Sequence, residues 1–309
     1  MIMRYIHLTQ YPNVFYSVTG LRVAEFDELL ADVLPQYADH EQHRLERPDR
    51  QRAIGAGHPF ELNERDHILL TVMWLRVYPT HEVLGYLFGI SDSTVSRLIR
   101  RVLPVLEQAG RDTMRMPDPG KKRRRMLDDL LRDTPELAVV IDSFEQRVQR
   151  PRDRDEADGY YSGKKKHHTL KSQIAVDETT AQVVDVADSV RGPTADLKLL
   201  EQSQLLDRLP PGVGGIGDLA YIGIDQLHPN GLGAAPRRKP RGQPRPAQDV
   251  VAYNTAFSRR RIIVENTIGR MRRYQSITQT DRNHRQLHTP RVVAIAGLIN
   301  RQIAHRLPA

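Results

Sequence analysis

The sequence predicts an α/β protein (α+β overall), in which an all-helical domain at residues 1–120 precedes a mixed sheet flanked by helices at residues 121–309. Two observations favour this fold class. Up to residue 103 the apolar residues recur at the spacing of amphipathic helices. From residue 137 onward, short apolar or alternating runs that are typical of strands are interleaved with helical patterns, which is the order expected of a sheet with crossover helices.

The composition excludes several classes of protein. A chain of 309 residues is long enough for two domains. The longest apolar runs, such as 292–296, are far too short to cross a bilayer, and the first residues do not resemble a secretion signal. The absence of Cys excludes disulfides, thiolate zinc sites and a Cys nucleophile. We therefore expect a cytoplasmic protein with no membrane partner.

The positive charge indicates a polyanionic partner. The net charge is +8 and the isoelectric point is about 9.7. Lys and Arg are concentrated in four segments, at 97–101, 121–125, 164–166 and 237–245. Repeated basic clusters of this kind favour contact with an extended phosphate backbone.

Residues 80–103 have the pattern of a helix-turn-helix. Asn63 is a predicted N-cap for the helix before it, a second short helix begins after 79–80, and Ser91 follows a turn containing Gly89 and caps a third helix at 92–103. A plain helical hairpin with a solvated basic surface has the same pattern, so this alternative stays open.

The solvent side of that third helix carries small hydroxyls first and arginines later. Such side chains suit a recognition helix in the DNA major groove. They are Ser93, Thr94, Ser96, Arg97, Arg100 and Arg101.

The remaining segments of the first domain and its boundary are less regular. A helix is predicted at 20–37 with Pro35 as its stop, and the polar segment 40–58 is predicted to be a linker or a peripheral helix broken by glycines. The basic segment 121–125 and a short helix at 126–132 form the predicted joint between the domains.

The second domain should contain a buried strand at 137–143 that ends at Asp142. A mobile loop at 147–158, a hairpin, a helix starting at 192–194 and a short strand ending at Asp218 should follow. A basic extended loop at 236–249 precedes a long helix at 253–274 and a last helix at 290–306.

Three carboxylates on these elements could converge. Asp142 and Asp218 each end a predicted strand, and Glu265 lies on the helix that should cover the sheet. Three such carboxylates could hold two hard divalent cations and support phosphoryl transfer. A structural ion pair between Glu265 and Arg261 one turn earlier is the more common explanation for such a glutamate, and both explanations stay open.

Several blocks resemble the DDE-superfamily transposases of bacterial insertion sequences, in the group related to Harbinger elements. The segment 62–106 resembles the helix-turn-helix that precedes their catalytic core. VIDSFE at 140–145 and YSGKKKHHTLK at 161–171 resemble the first Asp strand and the basic strand after it. GDLAYIG at 217–223 resembles the second Asp block, and RIIVENTIGRMRR at 261–273 resembles the Glu helix, with its Arg-x3-Glu-x6-Lys/Arg signature.

The resemblance implies an RNase-H-like catalytic fold in which Asp142, Asp218 and Glu265 bind two divalent metal ions, Mg²⁺ or Mn²⁺. It implies cleavage at transposon-end inverted repeats and joining of the 3′-OH to target DNA, by a homodimer or larger assembly associated with the nucleoid. Two positions depart from the family pattern: Ser258 stands where a Tyr is usual, and Leu219 follows the second Asp.

Other basic residues are candidate contacts for DNA. Arg261 and Arg272 would orient Glu265 or hold phosphate, and the basic strand and the turn before it would contact the backbone through Lys164, Lys165, Lys166 and Lys171. A catalytically silent protein derived from a transposase, or a helix-turn-helix regulator, remains the alternative function.

Overall fold

The computed structural model describes residues 3–46, 51, 61–120, 129–239, 242 and 245–306. The predicted basic joint at 121–125 and the glycines at 55 and 57 lie outside these residues. Within the described ranges, none of the helices is both long and apolar enough to cross a membrane.

The N-terminal helices are α1 (Tyr5–Leu8), α2 (Pro12–Thr19), α3 (Val23–Leu45), α4 (Glu64–Val77), α5 (His81–Phe88) and α6 (Asp92–Arg111).

The caps of α4, α5 and α6 are those that the sequence predicts. The side chains of Asn63, Thr80 and Ser91 each accept a hydrogen bond from a backbone N–H in the first turn of the following helix. Gly89 ends α5 with φ of 72°, a left-handed conformation that glycine adopts without strain. The α5–turn–α6 unit is therefore a helix-turn-helix, as predicted.

Two helices continue through a proline that was predicted to end them. α3 extends beyond Pro35 and α6 extends beyond Pro104, so both predicted stops are wrong. An internal proline removes one helical hydrogen bond. Packing further along the chain outweighs this loss, because Tyr37 is buried with its hydroxyl 3.1 Å from Nδ1 of His67, and Leu106 of α6 is buried in the core.

The second half of the chain forms a mixed sheet with helices on both sides, which confirms the predicted fold class. The sheet has seven strands in the order β2-β3-β1-β6-β7, with β4 and β5 paired to β3. The strands are β1 (Leu137–Arg147), β2 (Tyr161–Ser162), β3 (His167–Asp177), β4 (Val183–Val186), β5 (Val190–Arg191), β6 (Val213–Ile216) and β7 (Gly233–Ala234). The helices are α7 (Arg154–Tyr160), α8 (Asp196–Ser203), α9 (Ile224–Leu227), α10 (Gln248–Met271) and α11 (His288–Ala304).

Three local predictions need correction. β1 does not end at Asp142 but continues to Arg147, because β3 pairs with it in antiparallel register along that whole length. The predicted loop at 147–158 contains the start of α7, which Asp153 caps. Of the helix predicted at 126–132, the described residues show only a 3-10 turn at Asp129–Leu131.

The two faces of β1 pack against different helices. Val140 and Phe144 belong to the apolar cluster that includes α10 and α11, and we call this side of the sheet the α10 face. Val139 and Ile141 belong to a second cluster with α8 and α9, on what we call the α8 face. The first cluster also contains the core of α3 to α6, so the helical half and the sheet share one core. The division into domains at residue 120 stays a prediction.

α11 connects the helix-turn-helix to the sheet. It crosses α6 where Gly110 and Gly297 meet so closely that a Cβ atom on Gly297 would lie 2.3 Å from the Cα atom of Gly110. Asn300 then donates hydrogen bonds to the carbonyl of Val183 in β4 (2.8 Å) and to Oγ1 of Thr113 after α6 (3.1 Å). α6 is thereby held against the sheet.

A buried polar network makes a second connection. Asp281 pairs with Arg291 of α11, and their side chains are 1% and 0% exposed. The hydroxyl of Tyr78, the C-cap residue of α4, lies 3.3 Å from Oδ1 of Asp281 and accepts a hydrogen bond from Asn283. Removing one partner of a buried ion pair typically lowers stability by about 3–5 kcal/mol, so this network fixes α4 relative to α11.

Substituting Gly297→Ala should force α6 and α11 apart, because the new methyl group meets backbone atoms that have no rotamer to change. We expect the free energy of unfolding to fall by about 2 kcal/mol, measured by urea denaturation followed by circular dichroism.

Gly269→Ala in α10 is the matched control, since nothing lies within 4 Å of its added Cβ atom. Better helix propensity should make this variant more stable by up to about 1 kcal/mol. Equal stability of Gly297→Ala and wild type would contradict the close contact between the helices.

Candidate active site

The parallel pairing of β1 with β6 brings Asp142 and Asp218 side by side. Val140 lies opposite Ile216 in the register. Asp142 comes two residues later within β1, and Asp218 comes two residues after the end of β6, where it caps the 3-10 turn Leu219–Tyr221. Because side chains alternate along a strand, Asp142 lies on the α10 face with Val140, and the charge of Asp218 reaches it. Neighbouring strands are about 4.8 Å apart, so the two carboxylates are neighbours.

Burial makes the Asp142 carboxyl hard to ionise. Desolvation, with smaller contributions from the nearby charges of Asp218 and Asp196, raises its pKa to about 6. A hydrogen bond from the Ser143 N–H (2.8 Å) and the charge of Arg261 act in the opposite direction. Asp218 is partly exposed, and its Oδ1 accepts a hydrogen bond from the N–H of Ala220 (2.8 Å).

Glu265 does not join this pair in the structure. Its side chain is 59% exposed, and its Oε1 lies 3.7 Å from Nη2 of Arg261 on the preceding turn of α10. In the part of the chain that the structure describes, no three Asp, Glu, His or Cys side chains come close enough to hold a metal ion. The structure therefore brings together two of the three predicted carboxylates.

The Asp142–Asp218 pair nevertheless has the chemistry of a cation site. Two carboxylates at adjacent strand positions offer hard oxygen donors to a divalent cation. The raised pKa of Asp142 reflects a charge that its surroundings do not fully compensate, and a bound cation would compensate it. These two residues fit a divalent metal, and Glu265 would have to leave Arg261 to join them.

Arg261 is buried although it carries a charge. Its side chain is 13% exposed, and its Nε is fully buried with no hydrogen-bond partner. Among the described residues its contact with a carboxylate is the 3.7 Å pair with Glu265, and its charge also acts on Asp142. The charge of this arginine therefore reaches Asp142, and its Nε–H has no hydrogen-bond partner.

Ser258 makes only a local contact. It is exposed on α10, and its hydroxyl donates a hydrogen bond to the carbonyl of Asn254 one turn earlier (2.8 Å). The position where relatives of the resembled family usually carry a Tyr is thus on the solvent side of α10 in this chain.

The α8 face of β1 carries an ion pair that sequence reasoning missed. Nζ of Lys171 lies 2.8 Å from Oδ1 of Asp196, which also accepts a hydrogen bond from the Ser143 hydroxyl (2.7 Å). Asp196 is in the first turn of α8, where its negative charge also favours the helix dipole. No sequence signal connects it with Lys171, because the two residues meet only through the sheet.

Lys171 consequently differs from the other predicted DNA contacts. Its side chain is 8% exposed, and its ammonium also donates to the carbonyl of Thr194 (2.5 Å). A phosphate could reach this ammonium only by displacing its protein partners, so we do not include Lys171 among the proposed DNA contacts.

The other basic candidates gather beyond the site. Lys164 and Lys165, in the turn between β2 and β3, line a cavity of about 270 Å³ together with Glu145 and Arg272, which follows the end of α10. Lys166 is exposed in the same turn, with φ of 58°. The cavity is also lined by Ser143, the residue after Asp142, and by Lys171 and Asp196.

The side chains of α6 that are predicted to contact DNA lie in its first three turns and are exposed or half-buried. Arg97 donates hydrogen bonds to the hydroxyl of Thr94 (3.1 Å) and to the carbonyl of Ser93 (3.2 Å). Arg101 lies 3.8 Å from the carboxylate of Glu41. The fully exposed members of the set are Ser93, Arg97 and Arg100, and the half-buried members are Thr94, Ser96 and Arg101.

One curated relative has a similar sequence. It is the "Probable transposase for insertion sequence element IS702" of Microchaete diplosiphon, which is 27% identical over 257 residues that cover 83% of this chain and 87% of the relative. No solved structure matches the chain.

Two family models match, and together they cover both halves of the protein. The model described as the helix-turn-helix of DDE superfamily endonuclease matches residues 60–112. The model described as DDE superfamily endonuclease matches residues 141–300, more than half of the chain, and this range contains Asp142, Asp218 and Glu265. The chain therefore belongs to the DDE superfamily endonucleases and carries the helix-turn-helix of that family.

Proposed function

We propose that this protein is an insertion-sequence transposase that cuts DNA at transposon ends and joins the 3′-OH to target DNA. The observation that carries the proposal is the pairing of β1 with β6, which sets Asp142 beside Asp218 within the endonuclease match. The similarity to a probable transposase over most of both chains supports it.

The proposed catalytic residues are Asp142, Asp218 and Glu265, which would hold two divalent cations, Mg²⁺ or Mn²⁺. Such cations activate the attacking water and stabilise the leaving 3′-oxygen of a phosphoryl transfer. The chain itself fixes the positions of the carboxylates: the register sets the spacing of the aspartates, and the Ser143 N–H holds one oxygen of Asp142. The buried guanidinium of Arg261 offers donors to phosphate oxygens.

The proposed path of the DNA runs between the two basic regions. Lys164, Lys165, Lys166 and Arg272 would contact the backbone near the carboxylates, because phosphate contacts position a duplex without reading its sequence. The exposed side of α6 would read the inverted repeat in the major groove. Bringing two transposon ends together requires at least two copies of the chain, so we propose that it acts on DNA as a homodimer or larger assembly.

Cleavage of the DNA that borders the gene is the direct test. A synthetic duplex of that sequence should be cut in the presence of Mg²⁺, and Asp142→Asn or Asp218→Asn should lower the single-turnover rate on the order of 10³-fold. Asp207→Asn, which changes an exposed carboxylate near the end of α8, is the matched control and should cut normally. Cleavage that survives Asp142→Asn would refute the proposed site.

The raised pKa of Asp142 predicts a change in stability without metal. The folded protein holds this proton up to about pH 6 whereas the unfolded chain releases it near pH 4, so wild type loses stability as the pH rises through that window. Asp142→Asn should therefore be more stable by about 1–2 kcal/mol at pH 7.5 in EDTA, with the gain disappearing near pH 4. Urea denaturation at both pH values measures the difference in the free energy of unfolding. A variant that is less stable than wild type at pH 7.5 would contradict the predicted cost of burying the ionised carboxylate.

Arg97→Ala should weaken specific DNA binding by about 1–3 kcal/mol, because it removes a side chain positioned for a base edge or a phosphate. Fluorescence anisotropy at several salt concentrations separates the two roles, since loss of a phosphate contact lowers the salt slope by about 1. Arg111→Ala, at the far end of α6, is the control. Equal effects of both substitutions would favour the plain helical hairpin.

A further inference from the structure

The Arg261 guanidinium is the least satisfied buried cation near the carboxylates. Its side chain is 13% exposed, and Nε has neither water access nor a hydrogen-bond partner. The pair with Glu265 is long, at 3.7 Å, and Glu265 itself is 59% exposed. Burying a guanidinium without hydrogen bonds is unfavourable, so an additional interaction must favour this position.

The interaction that the structure shows is with the charge of Asp142 on β1. Asp142 lies on the α10 face, which Phe257, Val264 and Ile268 of α10 cover, and the charges of Arg261 and Asp218 both reach it. On the α8 face, Lys171 already has a close partner in Asp196, at 2.8 Å. The charge of Arg261 thus acts on Asp142 through space while its N–H groups keep their hydrogen-bonding capacity.

We propose that Arg261 is the resident counter-cation of the Asp142–Asp218 pair and that it competes with a divalent cation for the charge of these carboxylates. This inference rests on the proposed function, because it takes the two aspartates as metal ligands. A tethered guanidinium stabilises the ionised carboxylates when no metal is bound. By linkage, it lowers the affinity of the same carboxylates for a second cation.

A purely positioning role for Arg261 leads to the opposite result. If the arginine oriented Glu265 as a metal ligand, removing it would weaken metal binding. If the arginine is a competing cation, removing it strengthens metal binding and also releases Glu265 from its pair. The sign of the change in metal affinity therefore separates the two roles without any measurement of DNA cleavage.

The experiment is a calorimetric titration of the full chain with Mn²⁺, without DNA, at pH 7.5 and constant ionic strength. Arg261→Met keeps much of the apolar stem and removes the charge, and we expect its Kd for Mn²⁺ to be about tenfold lower than that of wild type. Arg261→Lys retains the charge and should bind Mn²⁺ more like wild type than like Arg261→Met.

Arg259→Met is the matched control, because it removes the same charge from an exposed position on the same helix. Its Kd should equal that of wild type. Weaker or unchanged Mn²⁺ binding by Arg261→Met would overturn the inference, and so would equal tightening by Arg259→Met. If Arg261→Met does not fold, Arg261→Gln replaces it, with the same expected sign.

Asp142→Asn separates a failure of this inference from a failure of the proposed function. Loss of Mn²⁺ binding in this variant, together with weakened binding in Arg261→Met, would refute the role of Arg261 and leave the metal site standing. Undiminished Mn²⁺ binding by Asp142→Asn would refute the metal site itself, and the inference with it.

Discussion

The parallel register of β1 with β6 is the constraint on which the site depends. It brings the turn that carries Asp218 beside Asp142, and a shift of one residue in β1 would turn Asp142 to the α8 face. The pairing of β1 with β6 ends at Val140 and Ile216, and each aspartate comes two residues after one of these. β3 continues to pair with β1 beyond that point, which keeps the backbone around Asp142 in extended form.

Local sequence signals account for much of this structure. Caps at Asn63 and Ser91 specify the helix-turn-helix, and apolar runs that end in aspartate indicate β1 and β6, because these signals act over a few residues. Features that depend on distant segments could not be predicted from local pattern. α6 continues through Pro104 because α11 packs against it, and Lys171 is buried because the sheet brings it to Asp196. The sequence left open whether Glu265 pairs with Arg261 or joins the two aspartates, because helical spacing does not decide which partner a glutamate contacts.

Acidic groups lie on both sides of the middle of β1, Asp142 of the strand itself and Asp196 of α8, and each side has its own cation. Lys171 meets Asp196 on the α8 face in short, hydrogen-bonded geometry, which suits a permanent structural role. Arg261 adjoins the α10 face without hydrogen bonds, which suits a partner that changes during the reaction. The same stretch of strand therefore combines a fixed ion pair with an exchangeable one.

The contact of Gly110 with Gly297 has a geometric consequence for DNA. α6 is a single helix from Asp92 to Arg111, about 30 Å long, whose exposed end carries Arg97 and whose other end is clamped to α11. No loop separates the two ends, so the distance between the exposed end of α6 and its contact with α11 is fixed. Under the proposed function, the distance between the base pairs read by α6 and the phosphate cut beside Asp142 would therefore be fixed, and DNA with a different spacing would have to bend or twist to be cut.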